Sequence, residues 1–137
     1  MTPTWGFWAT EFLLEIGVPV TRTNKVVVFA WMRKENTKAK NNPLATTHKG
    51  PGSTNFNTVG VQNFKTFTDG IIATTQTITS KTYPAYADII NAMKSRQPAS
   101  VVANFVTLSP WGTGPINTVS ASNNYDALNN HLLGVVF

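Results

Sequence analysis

Six side chains in this 137-residue chain are carboxylates, and one of them, Glu35, stands where helical patterning stops and a long polar stretch begins. A carboxylate at a helix C-terminus meets the partial negative charge of the macrodipole. That raises its pKa above the usual value of about 4.3. A raised carboxyl is what proton donation near neutral pH requires. Glu35 is therefore the candidate general acid. A plainer role stands beside it, as a surface helix end paired with Lys34, Lys38 or Lys40.

The stretch after Glu35 is crowded with neutral polar side chains: Asn36, Asn41, Asn42, Thr46, Thr47, Asn55, Asn57, Gln62 and Asn63. Amides and hydroxyls both donate and accept hydrogen bonds. Such groups suit sugar hydroxyls and N-acetyl substituents, and the same residue types also build ordinary turns.

Other chemistries are poorly supplied. Without cysteine there is no disulfide framework, thiolate metal site or Cys nucleophile. Two histidines, His48 and His131, do not make a His-rich metal site. His48, in the polar stretch, reads as a surface residue rather than a base. Six acids leave little for a multi-metal carboxylate centre. Gly-x-Ser-x-Gly, phosphate-loop and His-Glu-x-x-His patterns are missing. No metal or cofactor is expected.

Charged residues form 12% of the chain, with 11 Lys and Arg giving a net charge of +5. An ordinary soluble domain carries about 25%. The basic balance suits an anionic partner, whether nucleic acid, a membrane surface or a cell-wall polymer. It also serves solubility alone. No nucleic-acid motif accompanies it. Apolar runs fall short of the ~18–20 residues that span a membrane. The apolar opening segment is interrupted by Glu11 and Glu15 and has no basic lead-in, so it does not read as a signal peptide.

These residues need elements to hold them. Trp5, Trp8, Phe12, Leu13 and Ile16 recur at helical spacing until Gly17 and Pro19. Thr21 or Thr23 caps a second helix carrying Val26, Val27, Phe29, Ala30 and Trp31 and ending near Glu35 and Asn36. Its Val-Val-Val-Phe core also suits a strand. Residues 36–66 form a long loop of the kind that is usually functional. Alternation from Asn57 to Phe64 predicts a small hairpin within it.

Thr66 or Thr68 caps a third helix with Asp69 in its first turn and Ile71, Ile72, Thr75 and Ile78 inward. A fourth follows Pro84, with Ala85, Ile89, Ile90 and Met93 inward. A fifth starts near Pro98, with Val101, Val102, Phe105 and Val106. Residues 109–115 are strong turn formers. A last helix capped by Ser122 carries Tyr125, Leu128 and Leu132 and closes at Gly134. The expectation is one mainly α domain over residues 1–137, of α+β type, with a small β-hairpin inserted after the helix that ends on Glu35.

Several segments resemble one family. They are Ala30-Trp31-Met32-Arg33-Lys34-Glu35-Asn36, Asn41-Asn42-Pro43-Leu44-Ala45-Thr46-Thr47, and Pro51 through Phe64 with its Val59-Gly60-Val61-Gln62 turn. To these add Phe64-x-x-Phe67-x-Asp69-Gly70-Ile71, Trp111-Gly112-Thr113-Gly114, and the opening Leu13-Leu14-x-x-Gly17 before Thr21-x-x-Asn24. In order and spacing they are similar to the lysozyme-like cell-wall hydrolase module of bacteriophages. That module belongs to the superfamily of lytic transglycosylases, goose-type lysozymes and bacterial glucosaminidases. At 36 and 37 this chain has Asn and Thr where many relatives have Gly-Gly and transglycosylases have Ser after the Glu.

The resemblance implies a lysozyme-like helical domain. It implies that Glu35 is the catalytic acid for the β-1,4 bond between N-acetylmuramic acid and N-acetylglucosamine. Gln62, Asn63 and Phe64 would line the saccharide cleft, and Asn42, Thr46 and Thr47 would hold the loop or touch the sugar. Trp111 would wall the cleft or pack beneath it. Glycosidases commonly use two carboxylates, about 5–5.5 Å apart for retention or about 6.5–9.5 Å for inversion. Asp69 is the nearest second acid in sequence, and capping explains it. A single Glu acting as acid and then base suffices for a lytic transglycosylase, which is the reaction expected ahead of hydrolysis.

The implied partners are peptidoglycan and other phage virion proteins. The implied locations are a phage tail, or the host cytoplasm before release to the wall. The alternative is a virion structural protein that keeps the fold and binds saccharide with little catalysis.

Overall fold

The computed structural model describes residues 2–135. Seven helices occur among them: α1 (Trp5–Glu15), α2 (Arg22–Glu35), α3 (Phe67–Ile78), α4 (Ala85–Lys94), α5 (Ala99–Leu108), α6 (Thr118–Asn123) and α7 (Tyr125–Asn129). Two short strands, β1 (Thr54–Asn55) and β2 (Gln62–Asn63), pair antiparallel between α2 and α3. The architecture is mainly helical, with a small hairpin placed after the helix that ends on Glu35. No described helix is long and apolar enough to cross a membrane.

Threonine sets three of the helix starts. The hydroxyls of Thr4, Thr21 and Thr66 accept from the backbone N–H groups of Phe7, Asn24 and Asp69, each at 3.1 Å. Each bond satisfies a donor that the first helical turn leaves open. α2 is the central helix and packs on α1, α5, α6 and α7. That position explains its Val-Val-Val-Phe run. Every residue from Val26 to Met32 is buried, which is the pattern of a helix covered on all sides. A buried strand would show the same run, but the Thr21 cap and the 14-residue length belong to a helix.

Asn36 caps the end of α2, with a left-handed backbone at φ 43° and an N–H that donates to the Met32 carbonyl at 2.9 Å. Glycine takes such a stop most readily, and asparagine is the next best residue for it. Asn36 can therefore replace glycine without moving Glu35.

The long segment between α2 and β1 has little regular structure and is pinned by side chains. Lys40 N–H donates to Asn63 Oδ1 at 2.9 Å, and Asn41 Nδ2 donates to the Phe64 carbonyl at 2.9 Å. Phe64 N–H returns a bond to the Lys40 carbonyl at 2.9 Å, and Gln62 N–H donates to the Thr46 carbonyl at 3.2 Å. The loop thus lies along β2 almost as a third strand. It also rests on α3: a methyl group on Gly70 would meet the Asn41 carbonyl oxygen at 1.9 Å. Only a residue without Cβ permits that approach.

Several sequence expectations need correction. The hairpin pairs Thr54 with Asn63 and Asn55 with Gln62, so its first strand lies before Asn57 rather than within 57–64. The last helix is two short ones. Asn117, not Ser122, caps the first of them by accepting from Ser120 N–H at 2.9 Å, and the chain leaves helical geometry at Asn124. Ile72 is 42% exposed, because α3 buries Ile71, Ala73, Thr74 and Ile78 instead. Val101 and Leu132 are likewise exposed. Leu132 lies in a β-bridge with Thr4 that brings the two ends of the described chain together.

Candidate active site

Glu35 is the last residue of α2, and its carboxylate leans onto the turn that follows α5. Thr113 Oγ1 donates to Glu35 Oε1 at 2.8 Å, and Trp31 Nε1 donates to the same Thr113 oxygen at 3.0 Å. Trp31 lies one helical turn before Glu35, so both side chains meet Thr113 from one face of α2. An indole N–H only donates. Thr113 must accept from Trp31, and its single proton is then committed to Glu35. Oε1 is an acceptor whether or not the carboxyl is protonated. With the carboxyl ionised, this leaves Oε2 as the oxygen that Thr113 does not engage.

Burial is the main reason that the Glu35 carboxyl lies above its ordinary pKa. The Thr113 hydrogen bond and the nearby Lys34 charge pull it partly back. Glu35 is thus more than an exposed helix end neutralised by a lysine. It is half-buried, and its closest polar partner is a hydroxyl.

Aromatic rings flank this pair. Trp111, two residues before Thr113, meets Trp31 edge-on at 4.9 Å and Tyr86 at 5.6 Å. Its Nε1 donates to the Leu44 carbonyl at 2.8 Å. Trp111 therefore ties the polar loop to the Gly-Thr-Gly turn that holds Thr113, while its ring stays only partly buried. Burial raises the Tyr86 phenol above its usual range, with Tyr83 adding to the effect, so it remains a hydrogen-bond donor.

The residues expected to line a cleft divide into two groups. Asn42 is fully buried: its Nδ2 donates to the Thr46 carbonyl at 2.9 Å and the Gln62 carbonyl at 2.8 Å, while its Oδ1 accepts from Thr46 N–H at 2.9 Å. Gln62 is 1% exposed. Its amide donates to Asn55 Oδ1 and the Gly60 carbonyl and accepts from Ser53 Oγ, each at 2.8 Å. Phe64 is also 1% exposed and packs beneath the loop.

Thr46 is buried, shares a 2.6 Å hydrogen bond with Thr77 Oγ1 and accepts from His48 N–H at 3.1 Å. These four hold the loop from inside rather than present groups to a ligand. Glu35, Thr47, Asn63 and Trp111 keep surface toward solvent. The structure adds Thr113, Trp31 and Tyr86 to the candidate set. The one hint of Thr113 in the sequence was a hydroxyl residue set between two glycines in a turn.

Replacing Thr113 with Val tests the relay. It strands the buried Trp31 N–H and frees Glu35 Oε1. We expect any rate that depends on proton donation by Glu35 to fall about tenfold, the worth of one hydrogen bond to a charged group. Loss of that bond also lets the Glu35 pKa rise further, so the alkaline limb of the pH–rate profile moves to higher pH. Thr113→Ser keeps the hydroxyl and should restore both. An unshifted limb in the Val variant would remove Thr113 from this role.

Comparison of the chain with protein-family models, with curated proteins and with solved structures returns no match.

Proposed function

We propose that the chain is a peptidoglycan-cleaving glycosidase of the bacteriophage lysozyme-like kind, working as a virion-associated tail lysin or an endolysin. The observation that carries this reading is the half-buried Glu35 carboxyl, raised by desolvation and oriented by Thr113, beside partly exposed Trp111 and the polar loop. The sequence resemblance supplies the substrate: the β-1,4 bond between N-acetylmuramic acid and N-acetylglucosamine.

In this reading Glu35 gives its Oε2 proton to the glycosidic oxygen as the C1–O bond breaks. Positive charge develops at the sugar C1, and the new carboxylate faces it. The muramic acid's own hydroxyl then attacks C1 and returns its proton to Glu35. The product is an anhydro sugar, and no water is consumed. One carboxyl performs both transfers, which suits a polar loop that contains no acid between Asn36 and Lys65.

Digestion of purified walls followed by mass spectrometry of the released sugars is the test. Anhydro-muramic ends are expected. Reducing ends, heavier by one water, would assign hydrolysis and require a second base. Walls left intact under all conditions would overturn the enzyme reading, and glycan binding without cleavage would support a particle component that binds saccharide.

A further inference from the structure

A second surface feature lies at the far end of a series of ring contacts that starts inside the fold at Trp31. Ring centroids step from Trp31 to Trp111 over 4.9 Å, to Tyr86 over 5.6 Å and to Tyr83 over another 5.6 Å. Tyr83 and Tyr86 form one side of an open groove of about 480 Å³. Thr47, His48 and Lys49 of the polar loop and Gln76 of α3 face them, and threonine and serine hydroxyl residues complete the lining. The polar loop is held against α3 by the 2.6 Å hydrogen bond between Thr46 and Thr77.

The chemistry of the groove is specific in kind. Tyr83 is 49% exposed, so a ring face or edge is available for contact. Gln76, Thr47 and the Tyr83 hydroxyl offer neutral hydrogen bonding. Lys49 is exposed, and no Asp or Glu is among the described residues lining the groove. A saccharide meets such a surface well, with its apolar face on the tyrosine and its hydroxyls on the amide and threonine. The unopposed cationic side favours a ligand that carries a carboxylate.

We propose that this groove holds the carboxylate-bearing substituents of the glycan strand, with Lys49 as the charge that draws them and Tyr83 as the surface on which the sugar rests. The inference rests on the glycosidase reading only in taking the wall glycan as the ligand. The carboxylate can belong to the lactyl group of muramic acid or to a peptide stem attached to it.

Binding is measured on the full chain carrying Glu35→Gln, so that the ligands are not cut. Three ligands are compared: a neutral N-acetylglucosamine oligosaccharide, a wall glycan stripped of its stems, and the same glycan with stems. Adding Lys49→Gln should leave the neutral ligand unchanged and weaken a carboxylate-bearing one about fivefold at low salt. Raising the salt should erase the difference. A loss already present with stripped glycan assigns the lactyl carboxylate, and one confined to the intact glycan assigns the stem.

Tyr83→Ala should weaken all three about fivefold. Lys49 is exposed, so Lys49→Gln should not move the melting temperature. Equal effects of Lys49→Gln on all three ligands, or no effect on any, would overturn the proposal. Cleavage by the wild type combined with unaltered binding in the Lys49 variant would sink the groove alone. Intact walls combined with Lys49-dependent binding would sink the glycosidase reading and leave the groove.

Discussion

Replacing Glu35 with Gln is expected to lower wall cleavage by about 10²–10⁴-fold, the range that a positioned general acid contributes. The substitution is close to isosteric. Its amide oxygen can still accept from Thr113, so the Trp31–Thr113 relay should survive. What disappears is the transferable proton and the carboxylate that the proposed mechanism sets against the developing charge. Activity in the wild type should fall as pH rises through the Glu35 pKa, because only the protonated acid donates. Since burial holds that pKa above the usual carboxyl value, the limb should lie above about pH 4.3. The residual activity of the Gln variant should lack that limb. Cleavage within a factor of about three of wild type would remove Glu35 from the mechanism.

The same substitution makes a stability prediction of opposite sign. A carboxyl whose pKa is raised on folding binds protons more tightly in the native state than in the unfolded chain. Stability then declines as pH rises from the unfolded value, about 4.3, through the folded one. Above its raised pKa wild-type Glu35 is ionised in a partly desolvated place, and the Gln variant carries no such penalty. The variant should melt higher than wild type above that pKa, and the gap should close below about pH 4. Catalytic loss with a gain in stability marks a residue kept for chemistry. Loss of both would mean that Glu35 serves the fold.

Some of this arrangement is legible in the sequence because its causes are local. Thr4, Thr21 and Thr66 cap helices through bonds three residues away, which is within reach of a sequence pattern. The stop at Asn36 is local too, and it places Glu35 at a helix end beside the polar loop. The division of α6 from α7 was missed because a cap at Asn117 competes with one at Ser122, and short helices carry little periodicity to choose between them.

The site itself depends on distant pairs. Thr113 lies 78 residues from Glu35, and nothing in a Gly-Thr-Gly turn says which carboxylate its hydroxyl will meet. The direction in which each amide faces is equally invisible. Asn42, Gln62 and Asn63 are alike as residue types, yet the first two spend their polar atoms on backbone and side chains inside the loop. Asn63 bonds Lys40 N–H and still keeps part of its surface. Polar composition thus located the segment that borders the site while saying little about which members face outward. The raised Glu35 carboxyl was expected from the helix dipole, but desolvation is its leading cause, and burial is a property of the assembled fold.

Asn42 is the residue on which that loop depends most. Its side chain makes three hydrogen bonds at 2.8–2.9 Å in a fully buried position. Asn42→Ala removes all three; the Thr46 carbonyl keeps its bond from Gln62 N–H, while the Thr46 N–H and the Gln62 carbonyl lose this partner. Orphaned buried groups cost about 1–3 kcal/mol each. Partial relaxation should hold the total near 3–5 kcal/mol, which is exceptional for one substitution. By contrast, Thr47→Ala, one residue beyond the pinned turn and exposed, should stay within about 0.5 kcal/mol.

Asn42→Asp separates hydrogen bonding from size. It keeps an oxygen for Thr46 N–H but turns a buried carboxylate toward the Thr46 and Gln62 carbonyls. Its pKa must rise on folding, so this variant should be least stable near neutral pH and recover as acid protonates it and restores one donor. Urea unfolding of the three variants across pH measures these effects. The consequence extends to the site, because Leu44 sits in the same turn and its carbonyl holds Trp111, which precedes the Thr113 partner of Glu35 by two residues. A loosened loop should therefore release Trp111 and slow cleavage even where the fold survives. Unchanged stability in Asn42→Ala would mean that the loop is held by its contacts with β2 and Gly70 alone.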